Sequence, residues 1–309
     1  MKITLAQNRA QSLYFLYFYK NRIMLKKHFT TTMTKRILIP TDFSSQAKAA
    51  LMSAMKMAEK MEATLFVLHS VDMHDRFIPR ASPESTESRE AILVKRLEKQ
   101  MEEHLKSEGL ESLKPTTIIG TNSILEDVME ACETHKIDFI VMGSGGTSFL
   151  EGLFIGSNTE RVVRHSKVPV VVIKDKPIEF EKGSSFVFAS SLKNKDKSAL
   201  EKAKAVAESL QTNLELLYIN TEANHKNTKE IFSLITSFLT EEERLDIKVI
   251  VHDDSTIEKG ILNYIDKRKD VVYGIGTNGR KGLARFFNDS IAENLVNAAP
   301  NSIICFKID

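Results

Sequence analysis

Between Met142 and Asn158 the chain carries Gly143, Gly145, Gly146, Gly152 and Gly156, with Ser157 directly after the last. Glycine adopts positive φ readily and lets the backbone come close to a ligand. The N-terminus of a helix adds partial positive charge and N–H groups that attract anions. Here an apolar run, Phe139 to Met142, stops at Gly143, and a helix-like segment, Asn158 to His165, follows Ser157. Strand, glycine-rich loop and helix start together can hold phosphate on main-chain N–H groups. The spacing is Gly143, two residues, Gly146, nine residues, then Gly156-Ser157. It is neither the Walker A pattern, which needs Gly-Lys-Ser/Thr, nor the dinucleotide GxGxxG pattern. The competing reading is a glycine-rich surface loop that binds nothing.

The segments that must position this loop alternate. Arg36 to Pro40 is a short apolar run, and Ser44 or Ser45 can cap a helix with Ala47, Ala50, Leu51, Ala54, Met55 and Ala58 on one face. Ala63 to Ser70 is a second strand. Ser82-Pro83 starts a long helix with Leu93, Leu97, Met101 and Leu105 at intervals of four, ended by Gly109. Thr116 to Ile119 is a third strand. Ser123 and Glu126 form a capping box for a helix burying Ile124, Val128, Met129 and Cys132. Asp138 to Met142 and Pro169 to Ile173 are the fourth and fifth strands. Strands alternating with helices predict a parallel sheet with right-handed crossovers, an α/β sandwich.

After Lys174 to Gly183, a linker with Pro177 and several charges, the pattern restarts. Strands are expected at Ser185 to Ser190, Leu214 to Ile219, Ile247 to Val251, Val271 to Ile275 and Ser302 to Phe306. Helices are expected at Ser198 to Leu210, Ile231 to Leu239 and Ile257 to Tyr264. An offset of 149 residues lays Ala50-Leu51 on Ala199-Leu200 and Leu65 on Leu214. Two copies of one domain is the economical reading: residues 1–33 as a non-core extension, 34–176 as the first domain and 183–309 as the second.

The chain has 309 residues, 27% of them charged, with a net charge of +2 and no apolar run near the roughly 20 residues that span a bilayer. Residues 1–33 hold Lys2, Arg9, Lys20, Arg22, Lys26 and Lys27 and no acid. The apolar run Leu13 to Tyr19 there is only seven residues long and lacks a small-residue cleavage site, which makes it a poor secretory signal. A targeting peptide and a membrane-touching anchor stay open for this stretch, as does a start at Met33. Setting those six bases aside leaves 37 basic against 41 acidic residues, about −4, which argues against a nucleic-acid partner. Cys132 and Cys305 fall in apolar segments, so no disulfide framework and a reducing, cytoplasmic setting are expected. His69 and His74 are the closest histidine pair and lack a third ligand nearby, so no structural metal is expected.

The glycine spacing resembles the nucleotide-binding signature of the universal stress protein family, in the branch that binds ATP. The resemblance covers residues 34–309, strongly in the first copy, and many members carry two domains in tandem. It implies two five-stranded, Rossmann-like sandwiches of the adenine nucleotide alpha hydrolase-like type, strand order 3-2-1-4-5. Strands 1 and 4 then adjoin at the winding reversal, where open α/β sheets bind ligands. Pro40, Thr41 and Asp42 would face Met142, Gly143, Gly145 and Gly146 across one crevice. The resemblance implies Asp42 beside the nucleotide, where it could hold Mg²⁺ through the phosphates. Backbone at Ser70 and Val71 would hold the adenine. Gly156, Ser157 and the amides of Asn158 and Thr159 would meet phosphate oxygens. The plain roles of these residues are turn and helix cap.

In the second copy Asp42 corresponds to Ser191, and the glycine loop becomes Gly276, Gly279 and then Asp289-Ser290. An acid in place of the last glycine repels phosphate. Arg280, Lys281 and Arg285 are read as solvated, and this copy as a structural partner. The expected function is an ATP-binding stress-response regulator or sensor with one site. Arg161 or Arg164 could reach phosphate, but no Walker lysine and no base for water are evident, so at most slow ATP hydrolysis is expected. An interaction module without nucleotide is the third reading. Family members pair through their last strand, Val170 to Ile173 here. The resemblance therefore implies a pseudo-dimer within the chain, with a homodimer of chains left open.

Overall fold

In the computed structural model, residues 34–72, 83–110, 113–145, 156–174, 176–179, 184–266, 268, 271–278 and 302–308 are described. Apolar runs of four to seven residues make the strands of the first half: β1 (Arg36–Pro40), β2 (Thr64–Ser70), β3 (Thr116–Gly120), β4 (Phe139–Gly143) and β5 (Val170–Ile173). Between them run α1 (Ser45–Met61), α2 (Pro83–Ser107), α3 (Ile124–Thr134) and α4 (Ser157–His165). Ser44 caps α1, its hydroxyl accepting from Ala47 N–H, and Ser123 with Glu126 forms the capping box of α3. These side chains satisfy first-turn amides that have no partner inside the helix.

The second half repeats the order with β6 (Ser185–Ala189), α5 (Lys197–Ser209), β7 (Asn213–Thr221), α6 (Thr228–Phe238), α7 (Glu241–Asp246), β8 (Lys248–Asp254), α8 (Ile257–Asp266), β9 (Val271–Asn278) and β10 (Ile303–Ile308). The six-residue α7 is not among the helices that periodicity predicts. It rests on a capping box of Thr240 and Glu243 rather than on an apolar stripe.

All ten strands lie in one sheet, ordered β3-β2-β1-β4-β5-β10-β9-β6-β7-β8. The first half has the order 3-2-1-4-5, and the second half has the same order reversed across the sheet. Every pairing is parallel except β5 with β10, which join antiparallel through Val172↔Ile303, Val171↔Ile304 and Val170↔Cys305. Parallel strands need cover on both faces, and the side chains of the joint serve both. Val171, Ile173, Ile304 and Phe306 enter one core with α1 and α5, while Val170, Val172, Ile303 and Cys305 enter the other with α3 and α4.

The 149-residue offset holds in detail. Thr64 N–H donates to Lys35 C=O at 2.7 Å and Asn213 N–H to Ser184 C=O at 3.2 Å. Thr41 N–H donates to Leu68 C=O at 2.8 Å and Ser190 N–H to Leu217 C=O at 3.0 Å. Phe43 and Leu192, one per half, both adopt positive φ, 64° and 56°.

Cys305 is buried on β10, but Cys132 is only half-buried, since the flank of α3 that carries it is not fully covered. Burial pushes both thiols up to about 12. No helix among the described residues is long and apolar enough to cross a membrane.

Candidate functional site

β1 ends at Pro40, and the chain then turns sharply into α1. Thr41 is buried and its Oγ1 accepts from Phe43 N–H at 3.1 Å. Asp42 is exposed, with Oδ1 accepting from Ser44 N–H at 3.0 Å. Between them Phe43 sits in the left-handed region, a conformation that costs a bulky residue about 1–3 kcal/mol. Its ring is held by His69 at 4.5 Å between centroids and by His104, edge-on, at 4.8 Å. His69 Nδ1 lies 2.9 Å from Thr41 C=O, so that nitrogen carries the proton. Phe43, His69 and His104 therefore brace the loop from behind. In the sequence nothing marks them as a group, because no spacing joins positions so far apart.

The β4 loop meets this turn closely. Met142 and Gly143 are buried, and a Cβ on Gly143 would stand 3.0 Å from the backbone carbon and oxygen of Gln46 in the first turn of α1. Glycine lets β4 end there without displacing α1. Ser144 N–H donates to Ile173 C=O at 2.8 Å, and Gly156 N–H donates to Ser144 C=O at 2.7 Å. A Cβ on Gly156 would lie 3.3 Å from Gly145 Cα, and Thr159 Oγ1 donates to Gly143 C=O at 2.8 Å. The two ends of the glycine segment thus close on each other. Gly146 and Gly152 lie outside the described residues.

Gly156 is the N-cap of α4, and Ser157 is its first helical residue rather than its cap. No side chain at the cap accepts from the first-turn amides, in contrast to α1 and α3. Ser157 and Asn158 are exposed, while Thr159 is buried. Arg161 is exposed on α4. Arg164 lies in the last turn with its guanidinium bonded to Glu160, about 10 Å along the axis from Ser157.

At the end of β2, Val71 is buried and its N–H donates to Gly120 C=O at 3.0 Å. That amide is committed to the sheet.

In the second half, Ser191 stands in the turn matching Asp42. A buried carboxylate fills that turn: Asp196, in the short 3₁₀ turn Asn194–Asp196, accepts from Ser191 N–H at 2.8 Å, Ser191 Oγ at 2.7 Å and Ser190 Oγ at 3.0 Å. The matching position of the first half is Ala47. Gly276 lies within β9, whereas Gly279, Arg280, Lys281, Arg285, Asp289 and Ser290 lie outside the described residues. Among the described residues no group of three or more His, Cys, Asp or Glu is placed to hold a metal ion.

The model of the universal stress protein family matches residues 33–174. Universal stress protein MJ0531 of Methanocaldococcus jannaschii is 31% identical over 152 residues, 45% of this chain and 82% of the relative. Universal stress protein MJ0577 of the same organism is 31% identical over 162 residues, 47% of this chain and 98% of the relative. A solved structure of a universal stress protein from Archaeoglobus fulgidus superposes with a TM-score of 0.67 at 18% identity, covering 91% of this chain and all of that one, so the likeness in fold spans both halves of the sheet. On these matches, the chain belongs to the universal stress protein family.

Proposed function

We propose that the crevice between the β1 and β4 loops binds one adenine nucleotide, ATP with Mg²⁺, and that the protein acts as an ATP-responsive regulator or sensor in a stress response. The observation that carries this reading is the convergence of three segments on one point. Gly143 touches the start of α1, Gly156 bonds to Ser144, and α4 begins there on a glycine cap that has no side chain to accept from its first amides. Such a helix start suits phosphate oxygens. In this reading Gly143, Gly145, Ser157 and Asn158 surround the phosphates, and Pro40, Thr41 and Met142 line the floor. Asp42 faces the metal that the phosphates carry, and the Val71 carbonyl accepts from the adenine amino group. Mg²⁺ would neutralise phosphate charge, with the exposed Asp42 carboxylate towards it.

The second half takes no nucleotide in this reading, because the Asp196 carboxylate already occupies its turn. Residues 34–176 and 183–309 are then two domains paired as a pseudo-dimer through β5 and β10.

The test is to purify the full chain, denature it and identify released nucleotide by chromatography, with Gly156→Asp alongside. Adenine nucleotide near one per chain, lost in the variant, is expected. A chain that carries none and gives no heat with ATP and Mg²⁺ would overturn the reading in favour of an interaction module.

A further inference from the structure

The segment on which the adenine would lie is fixed from behind by one carboxylate. Asp127, in the first turn of α3, is 5% exposed. Its Oδ2 accepts from Ser70 Oγ, and its Oδ1 accepts from the Asn122 N–H at 3.3 Å and from Asn122 Nδ2 at 3.1 Å. A Cβ on Gly120 would stand 2.1 Å from that same Oδ2, and Gly120 C=O is the group that accepts from Val71 N–H. One side chain therefore ties the end of β2, the end of β3 and the loop into α3.

Helix formation does not account for it. The N-terminus of α3 is already satisfied by the Ser123–Glu126 capping box. Burying a carboxylate is costly unless donors fill its acceptor capacity, and among the described residues those donors are the neutral groups of Ser70 and Asn122. An apolar residue would fill the same space without that demand. What the carboxylate adds is direction: it fixes Ser70, and so the turn of the backbone at Val71.

We infer that Asp127 is a positioning residue for the adenine subsite, holding Ser70 so that the Val71 carbonyl faces the amino group of the base. This rests on the nucleotide reading above. The specificity it gives is for adenine over guanine, whose carbonyl oxygen at the same place would meet another acceptor.

The test titrates the full chain with ATP, GTP and inorganic tripolyphosphate, each with Mg²⁺, by calorimetry. Wild type, Asp127→Asn and Ser70→Ala are compared, with thermal melts of each free protein. Asp127→Asn turns one acceptor into a donor facing other donors, so ATP should weaken by about tenfold while tripolyphosphate stays within about twofold. The preference for ATP over GTP should narrow, and Ser70→Ala should give the same pattern more weakly. If both variants keep the ATP affinity, or if ATP and tripolyphosphate weaken in equal proportion, Asp127 serves the fold alone and the inference fails. A wild-type chain that binds no ATP removes the nucleotide reading, and this inference with it, an outcome separate from the other two.

Discussion

His104 meets the edge of Phe43 with its Nε2 buried and without a hydrogen-bond partner among the described residues. Burial lowers its pKa from the ordinary 6.5. Glu108 one turn further on acts the other way, and Lys48 and His69 add to the lowering. Lys48 and Glu108 pair with each other at 2.9 Å. The folded pKa is thus depressed below the unfolded one. Below 6.5 the unfolded chain takes up a proton that the folded chain resists, so this contribution to stability is full above 6.5 and is lost as pH falls through the depressed value. His104→Leu should therefore flatten the loss of melting temperature between about pH 7.5 and about pH 5.5. Equal slopes in variant and wild type would show that His104 is not the group responsible. The brace it forms with Phe43 and His69 backs the loop of Asp42, so the same acid range should loosen that loop.

Among the elements, the end of β4 fits tightly against the start of α1. At Gly143 the obstructing atoms are the backbone of Gln46 at 3.0 Å, which cannot rotate away as a side chain would. Gly143→Ala must push the start of α1, with its Ser44 cap, off the sheet, and should destabilise by about 1–3 kcal/mol in urea. Gly156→Ala, with 3.3 Å to Gly145 Cα, should cost less. If the two cost the same, contact with α1 is not what selects glycine at 143. Much at this scale is legible in the sequence, because the alternation of apolar runs, the Ser44 cap and the Ser123–Glu126 box are local signals. The strand order is not among them: it comes with the family resemblance. The cap of α4 is misread as Ser157 because a glycine cap leaves no side-chain signal. The turn at Phe43 is hidden because nothing in a phenylalanine announces positive φ. The Asp196 plug is missed because its partners are single serines in an unremarkable loop.

In the molecule as a whole, the two halves share structure as well as sequence pattern. β5 and β10 make the sheet continuous, and one core holds Leu51 and Val171 of the first half with Leu200 and Ile304 of the second. Lys60 of α1 donates to Leu210 C=O at 3.2 Å, and Gln211 donates back to Lys60 C=O at 3.3 Å. Removing either half would expose an apolar edge strand and half of that core, so neither half should unfold alone. Each half holds one of the chain's two cysteines, Cys132 on α3 and Cys305 on β10. Since the thiolate is the reactive species, both native thiols should label slowly. Pulsed thiol labelling across a urea series should then give one midpoint for both sites, matching that of far-ultraviolet circular dichroism. Ile304→Ala empties a fully buried position opposite Val171 and should lower stability by about 2–5 kcal/mol. It should move both midpoints together. If Cys305 became reactive at lower urea than Cys132, the halves would be separable units, and the second would not be an integral support for the first half's site.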